Sequence, residues 1–326
     1  MESIFTQALT DWELIVCDSY SDDGTWEYLQ QFKDDPRVRL YQVPREGLYA
    51  GWNECLKRCR GTYVHIAPAD DTCLPTFLSR TVGLLEKQKT CDLAVTQFHF
   101  IDADDRIVSP PPARRLDAVY GKSIAFDVCR PREAEILIHY CIGGIPWVTA
   151  SALVFRRTLL DSVGLFPADI GPNADVIWSL KCSLFSDTLS VPEFLATWRQ
   201  LEGQASSSSP FADRASLYAR LLADMLDEYA YRIPPSWKRD PNWKEQLLFN
   251  IKNGLLRMYC LDRRTCKQQP LRFLRGAIKA LQENPHYLWK RMRSGFSWNS
   301  PEYLPEEKWF WELVQRWNVD WAPRQL

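Results

Sequence analysis

Short apolar runs alternate with segments of helical period in the first part of the chain, and this alternation constrains the fold most. Glu13–Cys17, Arg37–Val43 and Tyr63–Ala67 are typical of strands. Apolar residues at positions 48, 52, 55, 56 and 59 recur as they do on one face of a helix. Strands that alternate with helices predict an α/β fold, with a mostly parallel sheet flanked by helices. Later, Leu93–Ile101 alternates like a strand and precedes a turn, which predicts a hairpin.

The length and the later sequence predict two parts. A chain of 326 residues is long enough for about two domains. Residues 206–210 are rich in serine and predict a linker, and the segment beyond them has helical period without a clear strand. We therefore predict an α/β domain over residues 1–206, followed by a helical C-terminal unit over residues 211–326.

Charge and cysteine content exclude several classes of protein. Lys plus Arg number 40 and Asp plus Glu 41, a net charge of -1, so no nucleic-acid partner is expected. The sequence contains neither a run of eighteen apolar residues nor a secretory leader, which favours a cytoplasmic location. The ten cysteines include no C-x-x-C pair, so we expect reduced, mostly buried thiols rather than a zinc cluster.

Acidic residues follow two of the predicted strands. Asp18 ends the first strand, and Asp70 and Asp71 come shortly after the third. In an open parallel sheet, ligands bind beyond the carboxyl ends of the strands. Mg²⁺ or Mn²⁺ is commonly held there by one or two carboxylates together with substrate phosphates. The pattern therefore predicts a metal and diphosphate site, while a simple role as caps of the following helices stays open.

Several segments carry a resemblance to a known family, in the order and spacing typical of it. The chain resembles the family-2 glycosyltransferases, which have the GT-A fold, over residues 1 to about 206. The matching segments are Asp11–Thr25 (DWELIVCDSYSDDGT), Gly47–Asn53 (GLYAGWN), Gly61–Asp71 (GTYVHIAPADD), Val163–Phe166 with Asp175 and Trp178, and Pro192–Arg199 (PEFLATWR).

The resemblance implies roles for individual residues. Asp18 would contact the nucleotide base, Asp70 would be the metal ligand and Asp71 a supporting neighbour in the donor site. Asp175 would be the catalytic base. Arg45 would reach the nucleotide, although a solvated charge at the end of a strand is an equal alternative.

The sequence departs from the family pattern at three places. Pro68 stands where the family has the first Asp of its Asp-x-Asp motif, and Ala174 replaces an acidic neighbour of the base. The family's usual first strand is missing, because the chain starts inside the segment that resembles the next helix. We therefore expect an open edge beside Leu14–Cys17, weak donor binding, poor solubility and a natural gene product that extends upstream of Met1.

The resemblance implies a metal-dependent, inverting glycosyltransferase. It would move a sugar from a nucleotide-diphosphate donor to a glycan or lipid-linked acceptor, in polysaccharide or glycan biosynthesis. A catalytically inactive binding protein and a nucleotidyltransferase are the alternatives, although a nucleotidyltransferase is disfavoured because no Gly-rich phosphate loop with a following Lys is present. Residues 238–293 carry fourteen basic and four acidic side chains, so they could contact the inner face of a membrane or simply form a solvated surface.

Overall fold

A computed structural model describes residues 1–109, 115–142, 149–201, 211–249, 260–283, 285–297 and 306–326. The chain forms two compact units. The first comprises Met1–Ile136, Gly144–Ser208 and Asp320–Leu326, and the second comprises Leu137–Gly143 and Ser209–Val319. The predicted linker at residues 206–210 lies outside the described residues, and the predicted domain division stays a prediction.

The strands and helices follow the alternation expected from the sequence in the first third of the chain. The strands are β1 (Leu14–Asp18), β2 (Val38–Gln42), β3 (Tyr63–His65), β4 (Cys91–Ile101), β5 (Ile107–Ser109), β6 (Val128–Arg130), β7 (Leu153–Arg156), β8 (Asp187–Arg199) and β9 (Arg324–Gln325). The helices up to residue 185 are α1 (Glu2–Phe5), α2 (Thr25–Leu29), α3 (Leu48–Leu56), α4 (Phe77–Lys87), α5 (Arg115–Tyr120), α6 (Arg132–Leu137), α7 (Leu160–Val163) and α8 (Ala174–Phe185).

The predicted α/β class is confirmed, but the strands of the sheet run in mixed directions. One sheet has seven strands in the order β3-β7-β4-β8-β6-β9, with β5 paired to β4. Among its described strands, β4 and β8 are the one hydrogen-bonded pair that runs parallel, and β1 and β2 form a separate parallel pair. The expectation of a mostly parallel sheet is therefore wrong in this respect. The reason is that β5 returns as a hairpin partner of β4, while β7 and β6 enter the sheet antiparallel to their neighbours.

Hydrophobic cores cover both faces of the central strand β4. On one side, Phe98 and Phe100 pack in a cluster with Phe77 and Leu85 of α4. On the other side, Leu93 and Val95 belong to a cluster that includes Leu56 of α3 and Trp178 of α8. The sheet is thus flanked by helices, and this packing fixes the ends of β3, β4 and β8 in position.

An open cavity lies between β1 and β3. Among the described residues, β1 pairs with β2 alone and β3 pairs with β7 alone, so Leu14–Cys17 has a paired strand on one side there. The cavity holds about 150 Å³ and is lined by residues of both strands and by Trp52, Cys55, Leu56 and Cys59. The side chain of Glu13 bridges the base of the gap, because its carboxylate accepts a hydrogen bond from the Gly61 N–H at 2.9 Å. This hydrogen bond links the residues that precede β1 and β3.

The second unit is helical, as predicted. Its helices include α9 (Phe211–Glu228), α10 (Arg263–Gln268), α11 (Pro270–Glu283), α12 (Pro285–Arg293) and α13 (Glu306–Trp317). Trp237 and Trp317 are buried and stack at 5.2 Å, so these tryptophans belong to a core. The last strand corrects the expectation that no strand follows residue 211, since Arg324–Gln325 pairs with β6 in the first unit. In the described part of the chain, no helix has the length and hydropathy to span a membrane.

Candidate active site

Asp18 lies at the carboxyl end of β1, as predicted. Its side chain is only 5% exposed, and its carboxylate accepts a hydrogen bond from the Ser21 N–H at 3.1 Å. Helix α2 begins later, after Gly24, which adopts a φ of +86° and makes no side-chain cap. Asp18 therefore closes the turn after the strand and does not cap the helix, so the alternative of a simple cap is wrong here.

Arg45 approaches the same turn from the end of β2. Its side chain is exposed, and its Nε donates to the Ser19 carbonyl at 3.4 Å. Two residues later, Gly47 has a φ of +102°, a conformation that favours glycine, and α3 begins immediately afterwards. The structure thus brings together the turn of Asp18 and the side chain of Arg45, two elements predicted to contact the nucleotide.

Asp71 is held on both carboxylate oxygens by groups that are distant in the sequence. The Arg199 N–H donates to its Oδ1 at 2.8 Å, and the Ser151 hydroxyl donates to its Oδ2. Burial raises the pKa of Asp71 to about 6, even though these hydrogen bonds act to lower it. Because both oxygens are engaged by protein groups, Asp71 is suited to shaping the loop after β3.

Asp70, unlike its neighbour, presents an exposed side chain. Its carbonyl oxygen accepts a hydrogen bond from Nε of Arg199 at 2.8 Å, which fixes the backbone at this point. The next helix, α4, begins only at Phe77, and no side chain caps it. Asp70 is therefore placed beyond the end of β3, where a ligand of this sheet edge would lie.

Arg199 organises the acidic loops, a role that the sequence did not reveal. It ends β8, and its guanidinium also donates to the Asp102 carbonyl and forms an ion pair with Asp105. One side chain thus joins the loop of Asp70 to the turn between β4 and β5. In the sequence, Arg199 could have been recognised from its position at the end of the matched segment Pro192–Arg199.

Asp175 lies in the first turn of α8, the predicted place of a catalytic base. Its carboxylate accepts a hydrogen bond from the Val176 N–H at 2.8 Å and another from the Tyr49 side chain. Burial raises the pKa of Asp175, against the lowering effect of these two donors. A carboxylate with a raised pKa is a stronger proton acceptor, as general base catalysis requires. Tyr49, which sequence reasoning did not single out, lies within the matched segment Gly47–Asn53.

Helix α3 is joined to the segment that precedes Asp175. The Asn53 amide donates to the Phe166 carbonyl at 2.8 Å and accepts from the Phe166 N–H at 3.0 Å. The Phe166 ring stacks on Trp178 of α8 at 4.6 Å. These contacts bring two matched segments together and hold the start of α8 against α3.

The residues at the end of β3 fit a cation held mainly by its substrate. Within the described ranges, no group of three or more His, Cys, Asp or Glu side chains could hold a metal ion. Both oxygens of Asp71 accept hydrogen bonds from protein donors, and the exposed side chain of Asp70 is the better placed of the two to bind a cation. One carboxylate together with substrate phosphates is a usual environment for Mg²⁺.

Comparisons with known proteins support the family resemblance. The family model of glycosyl transferase family 2 matches residues 1–153. EpsE of Bacillus subtilis (strain 168), whose name describes a glycosyltransferase, is 36% identical over 92 residues, which are 27% of this chain and 33% of EpsE. The Escherichia coli UDP-Glc:alpha-D-GlcNAc-diphosphoundecaprenol beta-1,3-glucosyltransferase WfaP is 28% identical over 89 residues, which are 27% of this chain and 36% of WfaP. The chain therefore spans about a third of the length of these relatives.

A solved structure with the same fold matches nearly the whole chain. TarS residues 1–349 of S. aureus, in complex with UDP-GlcNAc, align with a TM-score of 0.54 at 17% identity, covering 91% of this chain and 88% of that one. This likeness shows the fold, including the helical C-terminal region. The family match covers residues 1–153, just under half of the chain, and marks this part as similar to glycosyl transferase family 2.

Proposed function

We propose that this protein is an inverting glycosyltransferase that moves a sugar from a nucleotide-diphosphate donor to an acceptor hydroxyl, in polysaccharide or glycan biosynthesis. The observation that carries the proposal is the family match over residues 1–153. The geometry at the ends of β1 and β3 and at the start of α8 supports it, because acidic groups lie there in environments that differ in burial.

Asp175 acts as the base in this proposal. The acceptor hydroxyl loses its proton to the Asp175 carboxylate while its oxygen forms a bond to the anomeric carbon. The bond from that carbon to the diphosphate oxygen breaks, so the nucleoside diphosphate leaves with the electron pair and the configuration inverts. The raised pKa of Asp175 and its hydrogen bond from Tyr49 support this role, because the base is both stronger and fixed in direction.

The donor lies across the turn of Asp18 and the loop of Asp70. Asp18 contacts the base, Arg45 supplies positive charge to the nucleotide, and Asp71 shapes the diphosphate loop. The TarS structure was solved with UDP-GlcNAc, which supports a nucleotide sugar as donor. Asp70 would hold Mg²⁺ or Mn²⁺, which when bound neutralises charge on the leaving diphosphate.

The name of one relative supports an acceptor class, and the state of the cysteines supports a location. WfaP is named for a diphosphoundecaprenol-linked acceptor, which supports a lipid-linked glycan as one acceptor class. In the described part of the chain, the cysteines form no disulfide, which supports a reducing, cytoplasmic environment. We therefore place the reaction in the cytoplasm, with contact at the inner face of the membrane.

A binding protein without turnover is the competing function. Pro68 occupies the position of a family carboxylate, and the part of the chain that the structure describes contains no cluster of three metal-ligating side chains. Both features would weaken cation binding. The two functions differ in one observable, since only an enzyme releases nucleoside diphosphate.

The test combines turnover with donor binding. The purified chain is incubated with UDP- and GDP-sugars and Mn²⁺ or Mg²⁺, and nucleoside diphosphate release is measured beside thermal shifts. With the donor that is turned over, Asp175→Asn should lower kcat by about 10²- to 10⁴-fold and leave donor affinity nearly unchanged. Asp161→Asn, on the exposed surface of α7, is the matched control and should behave as wild type.

Two outcomes would contradict parts of the proposal. Binding of a nucleotide sugar without release in the presence of acceptor extracts would favour the inactive binding protein. Undiminished turnover by Asp175→Asn would place the base elsewhere. The anomeric configuration of the product, read by NMR, tests inversion separately, because an α-linked donor must give a β-linked product.

A further inference from the structure

Helix α11 carries an apolar stripe that faces solvent. Leu271, Leu274, Ile278 and Leu281 are between 50% and 73% exposed. At 3.6 residues per turn, these four positions fall within an arc of about 80° on the helix. Soluble monomeric domains rarely expose contiguous aliphatic side chains of this size without a binding role.

The stripe is separate from the side of α11 that packs into the unit. Phe273, Ala277 and Ala280 belong to a cluster with Leu261 and Tyr287. These inward positions lie at other angles on the helix than the stripe does. The exposed leucines are therefore additional to the core contact that stabilises α11.

Basic side chains border the stripe along one side. Arg272 and Arg275 are exposed and Lys279 is half-buried, and all three fall about 40° to 100° around the helix from Leu271. Residues 263–282 contain six Lys and Arg and no Asp or Glu. A helix with an aliphatic stripe beside a basic one is typical of segments that lie in the interface of a bilayer.

Helix α12 carries a similar combination of exposed apolar and basic side chains. Trp289 is 52% exposed and Met292 is 60% exposed. The guanidinium of Arg293 lies over the Trp289 ring, 4.6 Å from its centre. Tryptophan is favoured at the level of lipid headgroups, where its ring is partly in apolar surroundings and its N–H reaches water.

We propose that the lipid-binding face, formed by Leu271, Leu274, Ile278 and Leu281 of α11 with Trp289 and Met292 of α12, docks reversibly on an anionic bilayer surface. Charge complementarity selects this partner, because the basic border matches anionic headgroups while the aliphatic side chains enter the acyl region. A nucleic acid would use the charges but leave the leucines without contacts, since its binding surfaces stack bases on aromatic rings.

This inference gives a surface to the membrane contact suggested by the basic C-terminal region, and it does not depend on glycosyl transfer. It is therefore tested without donor or acceptor. The full chain is mixed with phosphatidylcholine vesicles containing either no phosphatidylglycerol or 30% of it, and the fraction that sediments is measured at low and physiological salt.

The variants separate the apolar and the charged contributions. Leu274→Ser with Ile278→Ser should weaken binding to the anionic vesicles at least tenfold. Arg272→Gln with Arg275→Gln should weaken it about 25-fold, at about fivefold per charge, and reduce its salt dependence. Tyr231→Ser and Arg239→Gln change exposed residues elsewhere in the second unit and should bind as wild type.

All substituted positions are on the surface, so circular dichroism and melting temperatures should match the wild type. Absence of sedimentation with the anionic vesicles would overturn the proposal. Equal binding by Leu274→Ser/Ile278→Ser and the wild type would also overturn it. A dimer in light scattering that this double variant abolishes would assign the stripe to a contact between copies instead of to lipid.

Discussion

Asp71→Asn should make the protein more stable. Asp71 carries a charge at neutral pH in a partly buried position, where its pKa is raised to about 6 from an ordinary value of 3.8. At about 1.36 kcal/mol per pH unit, this difference corresponds to about 3 kcal/mol as an upper limit. Because the side chain is half-buried, we expect about 1–3 kcal/mol. The amide of Asn can accept from the Arg199 N–H and donate to the Ser151 hydroxyl, so the hydrogen bonds survive the change.

The sign of the pH dependence of stability follows from the number of protons that Asp71 binds in the folded and unfolded states. Between pH 3.8 and about 6, the folded state keeps the proton of Asp71 while the unfolded state loses it. The stabilising contribution of Asp71 is therefore complete below the unfolded pKa and is lost as the pH rises through the folded pKa. The free energy of unfolding of Asp71→Asn should exceed that of the wild type by an amount that grows from about pH 4 to pH 6 and stays constant above pH 7.

Urea unfolding followed by tryptophan fluorescence measures this difference at a series of pH values. His65 has the opposite pH dependence, because burial lowers its pKa to about 4, but its contribution is common to both proteins and cancels in the difference. Asp161→Asn, at an exposed position of α7, is the control for replacing a carboxylate by an amide. A difference between Asp71→Asn and wild type that is constant from pH 4 to pH 8 would refute the argument.

Three further substitutions test the remaining contacts of the site. Asp70→Asn should remove the Mg²⁺ or Mn²⁺ dependence of donor binding in calorimetry, because an amide is a poor ligand for a hard cation. Asn53→Ala should lower the free energy of unfolding by about 1–3 kcal/mol, since it leaves the buried N–H and carbonyl of Phe166 without partners, and urea titration measures this loss. Arg199→Lys should lower kcat/KM about tenfold or more in the release assay, because a lysine cannot hold the loop of Asp70 and the β4–β5 turn together.

The local elements could be predicted from the sequence because their signals are local. The apolar run at Leu14–Cys17 and the helical spacing after Leu48 each describe a few residues in a row, and the structure places β1 and α3 there. The order of strands in the sheet had no such signal. Strand β7 enters between β3 and β4 in the antiparallel direction, and this depends on contacts between residues far apart in the chain.

The site shows the same division. Asp18, Asp70 and Asp71 could be proposed because each follows a recognisable strand. The partners of Asp71 could not, because Ser151 and Arg199 are 80 and 128 residues away from it in the chain. Periodicity and spacing identify residues that are close together in the sequence. The hydrogen-bond partners of Asp71 come from distant segments and so leave no such pattern.

The different environments of the two adjacent carboxylates predict how cation and donor bind. Both oxygens of Asp71 accept hydrogen bonds from protein donors, so we expect Asp70 to be the carboxylate that binds the cation and the diphosphate to supply further ligands. Mn²⁺ should therefore bind weakly alone and more tightly in the presence of a nucleoside diphosphate. Linkage requires the reverse effect to be equal, so Mn²⁺ must raise the affinity for the nucleoside diphosphate by the same factor.

Calorimetry measures both affinities, with Mn²⁺ titrated in the absence and presence of saturating UDP or GDP, and the nucleotide titrated with and without Mn²⁺. We expect a coupling of about 5- to 150-fold, the usual range of 1–3 kcal/mol. Asp70→Asn should abolish the coupling, whereas Asp161→Asn should retain it. Tight Mn²⁺ binding that nucleotide does not change would mean that the protein completes the coordination shell by itself. The assignment of Asp70 as the cation ligand and of Asp71 as a residue that shapes the loop would then be wrong, even if the protein still transfers a sugar.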